Sequence, residues 1–257
     1  MINDRIGVFD SGLGGLTVLK ELMQRFPAHY MYIGDTANLP YGAKTPEEII
    51  KFSHQIVSHF DSNNIKTCII ACHTASTIAL ESLRSSFAHM NIIGVAGQVC
   101  DHAIAKTHNK RIGILATMAT IANHGHKNYI NHIDPEIAVI EQACPELVPA
   151  IESQIFQEAI INNLIAEYVT PLLEQKIDTI ILGSTHYALI KNLIQTYVGP
   201  GIFLASAEDN LKPFVSTQST EIMYSLSLKT TSEPSLFWQR ARNLTGLELP
   251  PIELISW

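Results

Sequence analysis

The sequence predicts an α/β protein made of two pseudo-symmetric, Rossmann-like domains with mainly parallel sheets and an active site in the cleft between them. Two observations carry this. Short β-branched runs alternate with longer amphipathic stretches along most of the 257 residues, the pattern of βα units around parallel sheets. Two segments also recur: RIGVFDS (5–11) resembles RIGILAT (111–117), and KTCIIACHT (66–74) resembles DTIILGSTH (178–186). This alignment sets Asp10 against Ala116, Ser11 against Thr117 and Cys72 against Ser184. Two such halves facing one another bring both sets of strand C-termini to one cleft, where open α/β sheets place their ligands.

In chain order, strands are expected at RIGVFD (5–10), YMYIGD (30–35), TCIIAC (67–72), NIIGVAG (91–97), RIGILAT (111–117), IAVIEQA (137–143), TIILGST (179–185) and GIFLAS (201–206). Between them, LTVLKELMQRF (16–26) and ELVPAIESQI (146–155) carry apolar residues at helical spacing. The Ser/Thr-rich stretch 216–235 reads as a connection, and LFWQRARNLTG (236–246) as a terminal helix.

Composition narrows the function. Hydrophobic residues make up 46% and charged residues 16%, enough for a sizeable core. A net charge of -7 without a basic patch argues against a nucleic-acid partner. Asp4 and Arg5 interrupt what would be a secretory apolar stretch, and no run approaches a membrane span, so a cytoplasmic location is expected. Cys68, Cys72, Cys100 and Cys144 are too few and scattered for a disulfide framework, and no Cys-x2-Cys pair suggests zinc. Cys72, at the tip of TCIIAC with polar residues after it, is the functional candidate; the others read as packing.

Two further patterns point elsewhere. GLGGLT after a strand, with Asp35 some way on, imitates a dinucleotide fingerprint, but Thr17 replaces its third glycine and Asp10 would face the pyrophosphate. Gly12 and Gly14 are read instead as allowing a tight turn behind Asp10 and Ser11. His124 and His126 lack a third ligand at readable spacing, so a surface loop is expected there and no metal site.

FDSGLGGLTV (9–18), YIGDTANLPYG (32–42), ACHTAS (71–76), LATMATI (115–121), ACPELVPAIE (143–152) and LGSTHYALI (182–190) together resemble the cofactor-independent glutamate racemases of the aspartate/glutamate racemase superfamily. The resemblance implies a first domain of residues 1–97 completed by 207–257, a second of 98–206, glutamate as substrate and no cofactor. It leaves a homodimer open. It also implies interconversion of L- and D-glutamate for peptidoglycan precursors, by two acid/base groups on opposite faces of the α-carbon. Cysteine suits that chemistry because its pKa of roughly 8.5 lets thiol and thiolate coexist near neutrality.

By the same resemblance Cys72 is the first acid/base, and Ser184 stands where the second cysteine belongs. An aliphatic hydroxyl is nearer bulk water at roughly 15.7, a handicap of at least about five pKa units or roughly 7 kcal/mol. Asp10 and Ser11 match residues that engage the substrate amino group, and Pro40, Tyr41 and Gly42 the loop that receives the side-chain carboxylate. Thr74, Thr117 and Thr185 match hydroxyl donors for the α-carboxylate; Glu152 and His186 match groups supporting the second acid/base. His73 stands where the family has asparagine. Three functions stay open: a racemase, impaired or not; an enzyme in which Cys72 acts alone, by decarboxylation or exchange of one enantiomer; and a non-catalytic dicarboxylate-binding regulator.

Overall fold

The protein is described here by a computed structural model covering residues 4–153, 157–211, 225–246 and 248–256. All eight expected strands form: β1 (Arg5–Asp10), β2 (His29–Gly34), β3 (Thr67–Ile70), β4 (Asn91–Gly94), β5 (Arg111–Ala116), β6 (Ala138–Ala143), β7 (Thr179–Gly183) and β8 (Phe203–Ala205). Two more, β9 (Ser225–Thr230) and β10 (Ile252–Leu254), complete the set among the described residues.

β9 corrects the expected connection. Residues 216–224 of that stretch lie outside the described residues, but SLSLKT pairs in parallel with β2 from Ser225 to Thr230. Its serines disguise an alternating strand whose Leu228 is fully buried. The terminal helix forms at Pro234–Thr245.

The strands build a six-stranded sheet, β10-β9-β2-β1-β3-β4, and a four-stranded sheet, β6-β5-β7-β8. Every pairing is parallel. The repeat is preserved down to register: Ile6 pairs with Thr67 as Ile112 pairs with Thr179, and Phe9 with Ile70 as Leu115 with Leu182. Cys72 and Ser184 each follow five residues after the equivalent threonine, so their correspondence is geometric as well as sequential.

Each central strand is buried on both faces. In β1, Ile6 and Val8 pack with Leu16, Leu19 and Leu22 of the helix Leu16–Arg25. Phe9 on the other face joins Ile56, Val57 and Phe60 of the helix Pro46–Ser62. Gly7 lies flat under Phe60, as Gly113 lies under Ile177; a Cβ at either would sit 2.7 or 2.8 Å from those side chains. The helix Val95–Lys106 leads from β4 to β5 and runs through the 97/98 boundary expected from sequence. Among the described residues no helix is long and apolar enough to cross a membrane.

Candidate active site

The strand ends deliver the polar residues. Asp10 closes β1; Cys72 is the N-cap of the helix His73–Ile78, Thr117 that of Met118–Asn123 and Ser184 that of Thr185–Ala188. Their extended backbone at the first helical turn aims each side chain at the space between the sheets. That space is a cavity of ≈ 20 Å³ lined by Ser11, Leu39, Pro40, Tyr41, Gly42, Cys72, His73, Thr74, Thr117, Val148, Ser184, Thr185 and His186. Eleven of these thirteen are sequence candidates; Leu39 and Val148 were missed because apolar lining leaves no motif. The volume suits about one water. A wider groove of ≈ 1080 Å³ opens at the starts of β7 and β8, beside Asp178 and Phe203, away from these strand ends.

The remaining two candidates, Asp10 and Glu152, stand behind the cavity wall. Asp10 accepts from Gly12 N–H at 2.8 Å and from Thr185 Oγ1 at 3.1 Å. Burial raises its pKa, partly offset by His186. Glu152 accepts from His186 Nε2 at 2.7 Å and from Arg240 Nη1 at 3.0 Å. Burial opposes the charge on both members of the His186–Glu152 pair, but their mutual bond prevails: the imidazole pKa is raised and the carboxylate lowered. Arg240, on the terminal helix, belongs to no motif and was not found from sequence.

The two facing residues differ in more than their atoms. Cys72 is buried, with Sγ 3.9 Å from Ser11 Oγ, and burial followed by the charge of Asp10 pushes its thiol up to about 12. At neutral pH it holds its proton. Ser184 Oγ accepts from the backbone N–H of His186 at 3.4 Å, an ordinary N-cap bond. Among the described hydrogen bonds no basic side chain engages this hydroxyl.

His126 overturns its expected surface position. It is buried, and its Nε2 lies 3.0 Å from His73 Nδ1 with the rings stacked 5.3 Å apart. The helix Gly125–Ile133 begins here and turns His126 inward, whereas His124 stays exposed and contacts Glu141 at 2.6 Å. Burial lowers the pKa of both members of the pair, to about 4 for His126. Thr120 is another residue missed: with Thr74 and Thr117 it closes a triangle of hydroxyls with sides of 2.9, 3.0 and 3.1 Å.

The glycine-rich turn works by proximity. The chain bends and turns at residues 11–15 as expected, but among the described residues only Gly199 and Gly246 are glycines with positive φ, so Gly12 and Gly14 need no glycine-only conformation. A Cβ on Gly14 would instead collide with Thr185 Oγ1, and one on Gly42 would meet Thr117 Cβ at 2.5 Å. Asp35 is equally committed: its oxygens accept from Tyr41 Oη at 2.6 Å, Asn38 Nδ2 at 3.0 Å and Thr231 Oγ1 at 2.8 Å, fixing the Pro40–Gly42 loop. Cys68, Cys100 and Cys144 are buried free thiols outside the cavity wall.

The sequence profile of the Asp/Glu/hydantoin racemases matches residues 6–205. The chain belongs to that family. A glutamate racemase from Lactiplantibacillus plantarum is 40% identical over 200 residues, covering 77% of this chain and 73% of that protein. One from Picosynechococcus is 34% identical over 98% of this chain and 91% of its own. Among solved structures, glutamate racemase isoform RacE1 from Bacillus anthracis superposes with a TM-score of 0.93 at 27% identity, covering 100% of this chain and 98% of that one. The Francisella tularensis glutamate racemase, solved with D-glutamate, gives 0.87 at 28% identity, covering 99% and 98%. The racemase-family match includes Cys72 and Ser184 but stops before β9, β10 and Arg240.

Proposed function

We propose that this protein interconverts L- and D-glutamate without a cofactor, supplying D-glutamate for peptidoglycan precursors in the cytoplasm, and that its second acid/base is impaired. The observation that carries the reading is the symmetric placement of Cys72 and Ser184 at equivalent strand ends on one cavity, in a chain whose relatives are glutamate racemases.

In this reading Cys72 returns a proton to the α-carbanion as a thiol and removes one as a thiolate. A pKa near 12 favours the first role. The substrate ammonium, arriving beside Sγ, lowers the thiol pKa and makes the second accessible. Thr74, Thr117 and Thr185 take the α-carboxylate, Ser11, His73 and Asp10 serve the amino side, and the Pro40–Tyr41–Gly42 loop takes the side-chain carboxylate. Ser184 faces the L-side proton, supported by His186 and Glu152. Residues 1–97 with 207–257 form one domain and 98–206 the other, and we extend the reading to a homodimer.

A second reading has a specific basis. Ser184 has no basic partner among the described hydrogen bonds, while Cys72 is intact. One-sided exchange of the D-enantiomer's α-proton follows if Cys72 removes the proton and returns a solvent-derived one to the same face, with nothing serving the other. Incubation with each enantiomer in heavy water, followed by circular dichroism and proton NMR, separates the readings. Racemisation changes optical activity from both starting points; one-sided chemistry exchanges deuterium into D-glutamate alone; a binding protein does neither.

A further inference from the structure

His73 is held in an arrangement that the racemase reading does not require. Its Nδ1 is tied to His126 Nε2 at 3.0 Å, whereas its Nε2, on the opposite side of the ring, is buried without a hydrogen-bond partner. The ring lines the cavity. An unpartnered buried nitrogen is costly, and a ligand atom would relieve that cost.

An α-ammonium group also brings three N–H donors to the amino side of the cavity, where the existing hydroxyls and carboxylate are partly engaged. Thr74 and Thr117 share their hydroxyls with Thr120, and Asp10 gives its oxygens to Gly12 and Thr185. We infer that His126 is a positioning residue: it accepts the Nδ1–H of His73 and so fixes His73 in the tautomer whose bare Nε2 accepts a hydrogen bond from the α-ammonium group of the amino-acid substrate. A neutral acceptor leaves the positive charge on the substrate, where it keeps the α-carbon proton acidic. Burial of both rings holds them neutral, as this requires. The inference rests on the racemase reading for the identity of the ligand.

Nitrogen-15 NMR of the histidine rings in the natural protein tests it directly. His73 is expected to carry its proton on Nδ1, and added glutamate to shift Nε2 in the direction of an accepted hydrogen bond. A proton on Nε2, or an unmoved Nε2 while His186 responds, overturns the inference and leaves the racemase reading standing. No response from either ring, with no racemisation, overturns both. Kinetics supply the second arm. His126→Phe is expected to raise KM for glutamate about tenfold with kcat little changed, and to do nothing further in a His73→Ala background. An equal penalty in both backgrounds would show that His126 acts through the fold instead. Should His126→Phe not fold, the NMR arm decides alone.

Discussion

Arg240 reaches Glu152 at 3.0 Å from the terminal helix, and the other oxygen of that carboxylate holds His186 at 2.7 Å. A residue beyond the family match thus reaches the side chains behind Ser184. The shared carboxylate lets a cation 54 positions from His186 set the imidazole's orientation and charge.

Arg240→Gln therefore tests whether the terminal helix supports the second half of the site. Loss of one charge-assisted bond to a partly buried carboxylate is expected to cost about 1–2 kcal/mol of stability, read as a lower melting temperature. Exchange of the α-proton of L-glutamate should fall several-fold more than that of D-glutamate, since Cys72 is untouched. Equal losses for the two enantiomers would place Arg240 in general folding support.

The His186–Glu152 pair also carries a pH signature. His186 has a raised pKa when folded, so its contribution is present below the unfolded value near 6.5 and fades as pH rises through the folded one. Glu152 has a lowered pKa, so its contribution is present above roughly 4.3 and is lost as pH falls through the folded value. Thermal melts across pH 3–9 should show this pair's contribution largest between those limits. In Glu152→Gln that excess should disappear.

Much of this site is legible in the sequence because its residues follow strands, and strands are set by local apolar runs. Asp10, Cys72, Thr117 and Ser184 each stand at or just beyond a β-branched segment, so predicting the strand places the residue. Arg240 and His126 escape for the opposite reason. Both sit on helices whose packing angle decides what they touch, and nothing local distinguishes the inward His126 from the exposed His124 two residues earlier. β9 escaped because serine weakens the apolar alternation that identifies a strand.

Gly42 is expected to be intolerant of a side chain because the loop and Thr117 meet across the cavity. The Cβ of Gly42→Ala would stand 2.5 Å from Thr117 Cβ, so one of them must move. Overpacking of this kind costs about 1–3 kcal/mol. The expected result is a raised KM for glutamate, with Thr117→Ser relieving part of it; no relief would mean that the loop is displaced by some other contact.

The thiol of Cys72 sets a slope on the enzyme's pH profile. With its pKa pushed up to about 12, the thiolate fraction grows about tenfold per pH unit between 7 and 9. Exchange of the α-proton of D-glutamate should rise over that range, with a ligand-lowered thiol giving a shallower curve. Stability moves the other way. An unfolded thiol ionises near 8.5 while the folded one keeps its proton, so the unfolded state binds fewer protons and stability falls as pH climbs above that value. In Cys72→Ser the exchange trend should vanish and the stability trend shrink, since the buried thiols of Cys68, Cys100 and Cys144, also raised by burial, keep their share of it.

The central claim is that Ser184 is an inadequate substitute for the second thiol. Turnover from L- and from D-glutamate, measured for the natural protein, Ser184→Cys and Cys72→Ser, tests it most directly. The expected result is weak racemisation by the natural protein with kcat unequal in the two directions, an increase of orders of magnitude in Ser184→Cys from a deficit of several kcal/mol restored, and loss of α-proton exchange in Cys72→Ser. Brisk racemisation in both directions by the natural protein, unchanged by Ser184→Cys, would contradict the account.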